Sequence, residues 1–197
     1  DILSVLDDEP PVEGEPMEDI FEDFKKKIIP GMTHWQHPSF FAYFPANSSP
    51  PSVLAEMLTS TLGAQCMLWQ TSPAATEMET RITGWLQKMT GLPSGFHGVI
   101  QDSASSATLC ALLTAREKAT DWRTNKEGMN SLSSSLIVYT SEEAHSSTEK
   151  GAKIAGFGKD SVRLIRTDNQ FKMCSEALRC AVVDDISNGH TPTCVVA

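Results

Sequence analysis

The sequence predicts an α/β fold in which a helical N-terminal segment leads into the start of a mainly parallel sheet flanked by helices. Three observations carry that prediction. From about Gly98 to Ala197, apolar runs alternate with helix-period segments in the order strand, helix, strand, helix, strand, helix, strand. Strands joined by helices of this length pair in parallel through crossover connections. Leu136-Ile137-Val138-Tyr139-Thr140 is continuously apolar and β-branched, as a strand covered on both faces must be. Residues 17–97 have helical periodicity and aromatic turns instead.

Each element has a local reason. Residues 1–16 are acidic and proline-rich and form an extended arm, and the acidic run through Glu22 is a solvated face. Met17 to Ile29 is a helix with Ile20, Phe21, Phe24 and Ile28 on one side, ended by Pro30-Gly31. His34 to Ser49 is an aromatic, turn-rich connector. Pro51 opens a helix to about Leu62, at the end where proline is tolerated. Thr76 to Met89 carries a stripe of Met78, Ile82, Trp85, Leu86 and Met89, stopped by Gly91 and Pro93. Such a stripe is core or a subunit interface, and exposed stripes of this kind favour a partner. Residues 98–197 begin the α/β domain, with Asp121 to Ser135 a polar surface loop and Ser175 to Asn188 the last helix before Gly189.

Two stretches carry chemistry. Val99-Ile100-Gln101 reads as a short strand, followed by a turn through Asp102 and a helix that opens at Ser103-Ala104-Ser105. Leu109, Leu112 and Leu113 give that helix a face to lay on a sheet. Its first N–H groups are open either to capping by the two serine hydroxyls or to an anion such as a phosphate. His145, in Ala144-His145-Ser146-Ser147, follows the strand that ends at Thr140. Ligands of open α/β sheets bind beyond that strand end. Its imidazole is open to two readings, a cap for the next helix or a group that stacks on a flat ring and moves a proton.

Composition narrows the classes. The 197 residues are 40% hydrophobic, enough for a domain with its own core. A net charge of −9 argues against a nucleic-acid partner. The cysteines, Cys66, Cys110, Cys174, Cys180 and Cys194, show neither metal-ligand nor redox spacing, fit free thiols in a reducing cytoplasm, and predict no metal. No apolar run has the length of a membrane span. Ser103 or Ser105 with His145 lacks the G-x-S-x-G elbow of a serine hydrolase. The i, i+3 pair His34 and His37 lacks a helix to make it a zinc site.

Taken together, six segments resemble the group II pyridoxal-phosphate-dependent decarboxylases, and among them the aromatic-L-amino-acid decarboxylases. They follow a first likeness at Phe21-Glu22-Asp23 and are Ile29-Pro30-Gly31-Met32-Thr33-His34-Trp35, His37-Pro38-Ser39-Phe40-Phe41-Ala42-Tyr43-Phe44-Pro45, Ser72-Pro73-Ala74-Ala75-Thr76-Glu77-Met78-Glu79, Val99-Ile100-Gln101 with Ser103-Ala104-Ser105 and Ala107-Thr108-Leu109, Ala144-His145-Ser146-Ser147 and Val195-Val196-Ala197. They stand in family order and at family spacing over nearly the whole chain. The resemblance implies the fold type I (PLP-dependent transferase-like) architecture and pyridoxal 5′-phosphate as cofactor. It implies that Ser103, Ala104 and Ser105 hold the cofactor phosphate, and that His145 stacks on the pyridine ring and is catalytic. Trp35, Tyr43, Phe44 and Pro45 then line the substrate pocket, completed by a loop of the other subunit around Gln65 and Met67. It further implies a homodimer in which residues 17–97 contact the partner.

The resemblance puts the lysine that anchors the cofactor, the aspartate that pairs with the pyridine nitrogen and a mobile catalytic loop downstream of Ala197. Lys150 and Lys153 fall on the helix after His145, outside that lysine's context. The expectation is therefore the N-terminal part of a longer or cleaved polypeptide, working as a homodimer or with a complementary C-terminal half. The expected reaction converts an aromatic L-amino acid to its amine and CO2. The alternatives are an aromatic acetaldehyde synthase on the same scaffold and a truncated, inactive protein that only dimerises. Four departures from the family pattern bear on the sites: Asp102 before the serines, Ser106 after them, Ala46 after Pro45, and Met67-Leu68-Trp69 in the partner-facing loop.

Overall fold

The computed structural model describes residues 6, 9–44 and 48–197, which divide between residues 65 and 66 into two compact units. In the first unit, α1 (Met17–Asp23) runs on through a π-helical turn, Phe24–Ile28, and a 3-10 turn, Ile29–Gly31. Pro30 has no N–H to continue the ladder. α2 (Pro50–Leu62) starts one residue before the expected Pro51 because Ser49 is its cap. Ser49 Oγ accepts from Ser52 N–H at 3.4 Å, and Ser49 N–H donates to Ser52 Oγ at 3.0 Å. This reciprocal box leaves Pro50 and Pro51 in the first turn, where no N–H is needed. Gly63, at φ +55°, ends the helix in the left-handed conformation glycine adopts freely.

The second unit opens with α3 (Pro73–Met89), three residues earlier than the expected Thr76, again with proline in the first turn. None of the residues of α1, α2 and α3 is buried. The apolar stripe on α3 is therefore exposed in the single chain, with Met78 62% and Met89 80% accessible.

The expected strand at 98–101 does not form. Val99 and Ile100 are 62% and 60% exposed, and the segment belongs to no strand. Its tie is to α3: Ile100 N–H donates to Glu79 Oε1 at 2.6 Å. β-branched residues favour extended backbone, but a strand exists only with a neighbour to complete its ladder. No described strand supplies one.

The sheet has three parallel strands in the order β2-β1-β3: β1 (Leu136–Ser141), β2 (Val162–Ile165) and β3 (Thr191–Val196). Pro192 sits on β3, where the register with β1 shifts between Ile137 and Val138. A proline is tolerated at such an irregularity because no ladder N–H is lost there.

Alternation along β1 divides the core. Leu136 and Val138 face α4 (Ala104–Ala119) and α6 (Ser147–Ile154), packing with Leu112, Ala152, Ala155 and Phe157. Ile137 and Tyr139 face the other way, with Ile165 and residues Ala177, Leu178 and Ala181 of α7 (Ser175–Ser187). α4 and α6 cross closely at Gly151, where a Cβ would come within 3.1 Å of Leu112 Cδ1.

The expected surface loop at 121–135 is instead partly helical, with α5 (Arg123–Glu127) and a 3-10 turn at Met129–Ser131. Its organiser is Glu117, only 7% exposed. The Glu117 carboxylate accepts from Thr124 Oγ1 at 2.8 Å, Asn125 N–H at 2.9 Å and Arg116 Nη2 at 2.8 Å. A buried carboxylate is tolerated only when satisfied in this way. The same serine- and threonine-rich composition that suggests a solvated loop here supplies its partners.

Candidate functional site

A cleft of about 650 Å³ opens at the C-terminal edge of the sheet, within the second unit. α4 contributes Ala104 and Thr108, the β1–α6 turn contributes His145, the start of α6 contributes Ser147, and the β2–α7 turn contributes Phe171 and Lys172. α4 and α6 pack on one face of the sheet and α7 on the other, so the cleft straddles the strand ends. Its size suits a small molecule. It lies where the strand ends of an open parallel sheet receive ligands.

The start of α4 is built to take an anion. Ser103 is the N-cap, its Oγ accepting from Ser106 N–H at 3.2 Å. Among the described residues the N–H groups of Ala104 and Ser105 have no partner. Two free N–H groups at the positive end of a 16-residue helix attract a phosphate. The Ser105 side chain is exposed and free to donate. Ser103 and Ser105 do not themselves line the cleft as Ala104 does. Under the cleft, Thr140 is buried beside Ser141 and opposite Val196, both of which line it. Thr140 Oγ1 has no hydrogen-bond partner among the described residues.

His145 stands four residues beyond β1, exposed at the mouth of α6. Its Nδ1 accepts the backbone N–H of Ser147 at 3.2 Å and lies 2.9 Å from Ser147 Oγ. An N–H can only donate, so Nδ1 holds a lone pair and the neutral ring carries its proton on Nε2. The two readings of this histidine therefore use different nitrogens: Nδ1 caps α6, and Nε2 is left for chemistry. His145 and Ala104 line the same cleft.

The other residues named from the sequence are placed as follows. Trp35 and Tyr43 belong to the first unit and stack on each other with ring centroids 5.6 Å apart, Tyr43 at φ +60°. Phe40 joins them 5.1 Å from Trp35. Phe44 is fully exposed. Pro45, with Ala46, lies outside the described residues. Gln65 ends the first unit, and Met67, 73% exposed, is the second residue of the other. Lys150 and Lys153 are exposed on α6, and Lys153 pairs with Glu149 at 3.0 Å.

Sequence reading missed Ser147, although its place two residues after His145 at a helix start was a usable signal. It also missed Phe171, Lys172 and Met173. These reach the cleft from the opposite face of the sheet, in a turn where Asp168 Oδ1 accepts from Gln170 and Lys172 N–H groups at 2.8 and 3.1 Å. Nothing local to 168–173 indicates that placement. Among the described residues no cluster of histidine, cysteine and acidic side chains could hold a metal, and no helix is long and apolar enough to cross a membrane.

Residues 1–197 match the pyridoxal-dependent decarboxylase conserved domain along their whole length. The chain belongs to the pyridoxal-dependent decarboxylase family. The aromatic-L-amino-acid decarboxylase of Mus musculus is 42% identical over 198 residues, covering 95% of this chain and 41% of that protein. The 4-hydroxyphenylacetaldehyde synthase of Rhodiola rosea is 41% identical over 195 residues, covering 95% of this chain and 39% of that protein. The crystal structure of Catharanthus roseus tryptophan decarboxylase in complex with L-tryptophan superimposes with a TM-score of 0.88 at 36% identity, covering 98% of this chain and 41% of the other. The chain thus spans about two fifths of the length of the curated relatives it matches. The match places this decarboxylase-family chain in the fold type I class expected from its sequence. The cofactor that goes with the family is pyridoxal 5′-phosphate, and the start of α4 fits its phosphate.

Proposed function

We propose that this chain is the N-terminal, cofactor-binding part of a decarboxylase that converts an aromatic L-amino acid and a proton to the amine and CO2. The observation that carries the proposal is that His145 shares a cleft with Ala104, at the free N–H groups that open α4. When bound, pyridoxal 5′-phosphate supplies the sink for the electron pair left on Cα as CO2 departs. The residues of the chain do the rest. Ala104 and Ser105 N–H groups, with the Ser103 and Ser105 hydroxyls, hold the phosphate. His145 would stack on the ring, exclude water and, after taking up a solvent proton to become the imidazolium, deliver the Nε2 proton to Cα and return to the neutral ring. Trp35, Tyr43, Phe44 and Pro45, with Gln65 and Met67, shape the side-chain pocket.

The working form is a homodimer in the cytoplasm, with residues 1–16 as an arm, 17–97 contacting the partner and 98–197 opening the large cofactor domain. The uncovered apolar face of α3 supports that arrangement, because an exposed stripe of Met, Trp and Leu is costly in water.

The test is to supply the full-length polypeptide with pyridoxal 5′-phosphate and L-tryptophan, L-tyrosine or L-phenylalanine, and to separate amine from aldehyde products. Amine and CO2 in equal amounts support the decarboxylase. Aldehyde in place of amine supports the acetaldehyde synthase, a reading favoured by the resemblance to the Rhodiola rosea enzyme. Neither product from any of the three refutes both. A second prediction concerns the cofactor. Replacing both Ser103 and Ser105 with alanine removes the cap and two hydroxyl donors, so the affinity for pyridoxal 5′-phosphate should fall about tenfold, the weight of one charge-assisted hydrogen bond. Cofactor fluorescence titration measures it, and an unchanged dissociation constant would remove the serines from the phosphate site.

A further inference from the structure

The contact between His145 and Ser147 points to a residue role that the family assignment leaves open. We propose that Ser147 is the positioning residue that fixes the ring plane and tautomer of His145. The proposal rests on His145 being the group that moves the proton.

Ser147 is the first residue of α6. Its N–H is among the donors a helix start leaves without an intrahelical acceptor, and it finds one in His145 Nδ1 at 3.2 Å. Its Oγ lies 2.9 Å from the same nitrogen. Both contacts reach one edge of the ring, so together they restrict rotation about the Cβ–Cγ bond as well as the choice of protonated nitrogen. Ser147 is half-buried and lines the cleft beside His145. The arrangement serves proton delivery in two ways. It keeps the proton of the neutral ring on Nε2, away from the helix. It also holds the ring in one orientation, so little entropy is lost when a flat ligand stacks on it. The backbone N–H contact survives any side chain at 147, but the hydroxyl contact needs serine or threonine.

The experiment uses the full-length polypeptide labelled with 15N-histidine, in wild-type, Ser147→Ala and Ser147→Thr forms. The His145 ring nitrogens are assigned by their loss in His145→Asn. Without cofactor, the wild type should show the wide separation of a bare Nδ1 and a protonated Nε2, and Ser147→Ala, which keeps the backbone donor and loses the hydroxyl, should narrow that separation. With cofactor and substrate, Ser147→Ala should lower kcat about tenfold, in the range for loss of a group that orients a functional imidazole, with KM changed less than about twofold. Ser147→Thr should restore both. A Ser147→Ala protein with wild-type ring shifts and wild-type kcat overturns the proposal. A Ser147→Thr protein that behaves like Ser147→Ala overturns it too, because the hydroxyl would then not be the cause. If the wild-type chain makes no product from aromatic amino acids while the ring shifts still move in Ser147→Ala, the functional reading fails and the positioning role stands.

Discussion

Replacing His145 with alanine should lower turnover of the full-length polypeptide about a thousandfold, the middle of the range for loss of a general acid or base, while pyridoxal 5′-phosphate stays bound. The helix start and the imidazole are separate features of one cleft. In the proposed function the phosphate is held by the start of α4, where Ala104 and Ser105 N–H groups are free. The imidazole comes from the turn after β1, with Nδ1 bound to Ser147 N–H, and the proposal assigns its Nε2 to the proton transfer. Removing the ring leaves the anion site intact, so affinity and rate should part company. Amine production and cofactor fluorescence, measured on the same preparation, give both numbers. Turnover within a few-fold of wild type would strip His145 of a catalytic role. Loss of the cofactor along with activity would mean that the ring acts mainly by stacking. The aliphatic cost is small, because His145 is exposed and alanine is tolerated ahead of a helix.

The second large effect is on stability. Asp185 is 5% exposed and joins three elements. Tyr139 Oη of β1 donates to its Oδ2 at 3.0 Å, and Arg163 of β2 donates Nε at 3.1 Å and Nη2 at 2.5 Å, while Asp185 itself stands on α7. Asp185→Ala leaves a guanidinium and a buried phenol without their acceptor. It should cost about 3 kcal/mol, the lower end for breaking a buried pair, since Arg163 keeps some solvent. The Arg163 hydrogen bonds hold the Asp185 carboxyl below the usual aspartate range, against the opposing effect of burial, and the Tyr139 hydroxyl adds to them. Burial and the same carboxylate push the Tyr139 phenol up. A depressed folded-state pKa contributes stability that is complete above the unfolded value, about 3.9. That contribution is lost as the pH falls through the lower folded value. The urea midpoint of the wild type should therefore drop below about pH 4 more steeply than that of Asp185→Ala. Parallel curves for the two proteins, or a midpoint at pH 7 unchanged by the substitution, would show that the triad does not lock these elements together.

Much of this was open to reading along the chain, and the failures have physical causes. β1 was legible because a strand buried on both faces must be apolar throughout. The helix starts at Pro50 and Pro73 differ from expectation by one and three residues, since proline fixes a first turn without fixing which residue caps it. Val99-Ile100 carries strand propensity, but strand formation depends on a ladder partner distant in sequence. Residues 121–135 look like a solvated loop by composition, yet the Thr124 hydroxyl and the Asn125 N–H donate to the buried Glu117.

By itself the sequence determined the alternation of elements, the helix start at Ser103, the histidine beyond the central strand and the family. These depend on interactions within a few residues or on motifs in fixed order. The tertiary structure alone decided that the start of α4 and His145 share a cleft, that Phe171 and Lys172 join them from the other face of the sheet, and that Nδ1 of His145 is taken by Ser147. Such meetings depend on which strands pair and which face each helix covers. They depend too on where side chains converge across the strand ends, and no local stretch of residues encodes that.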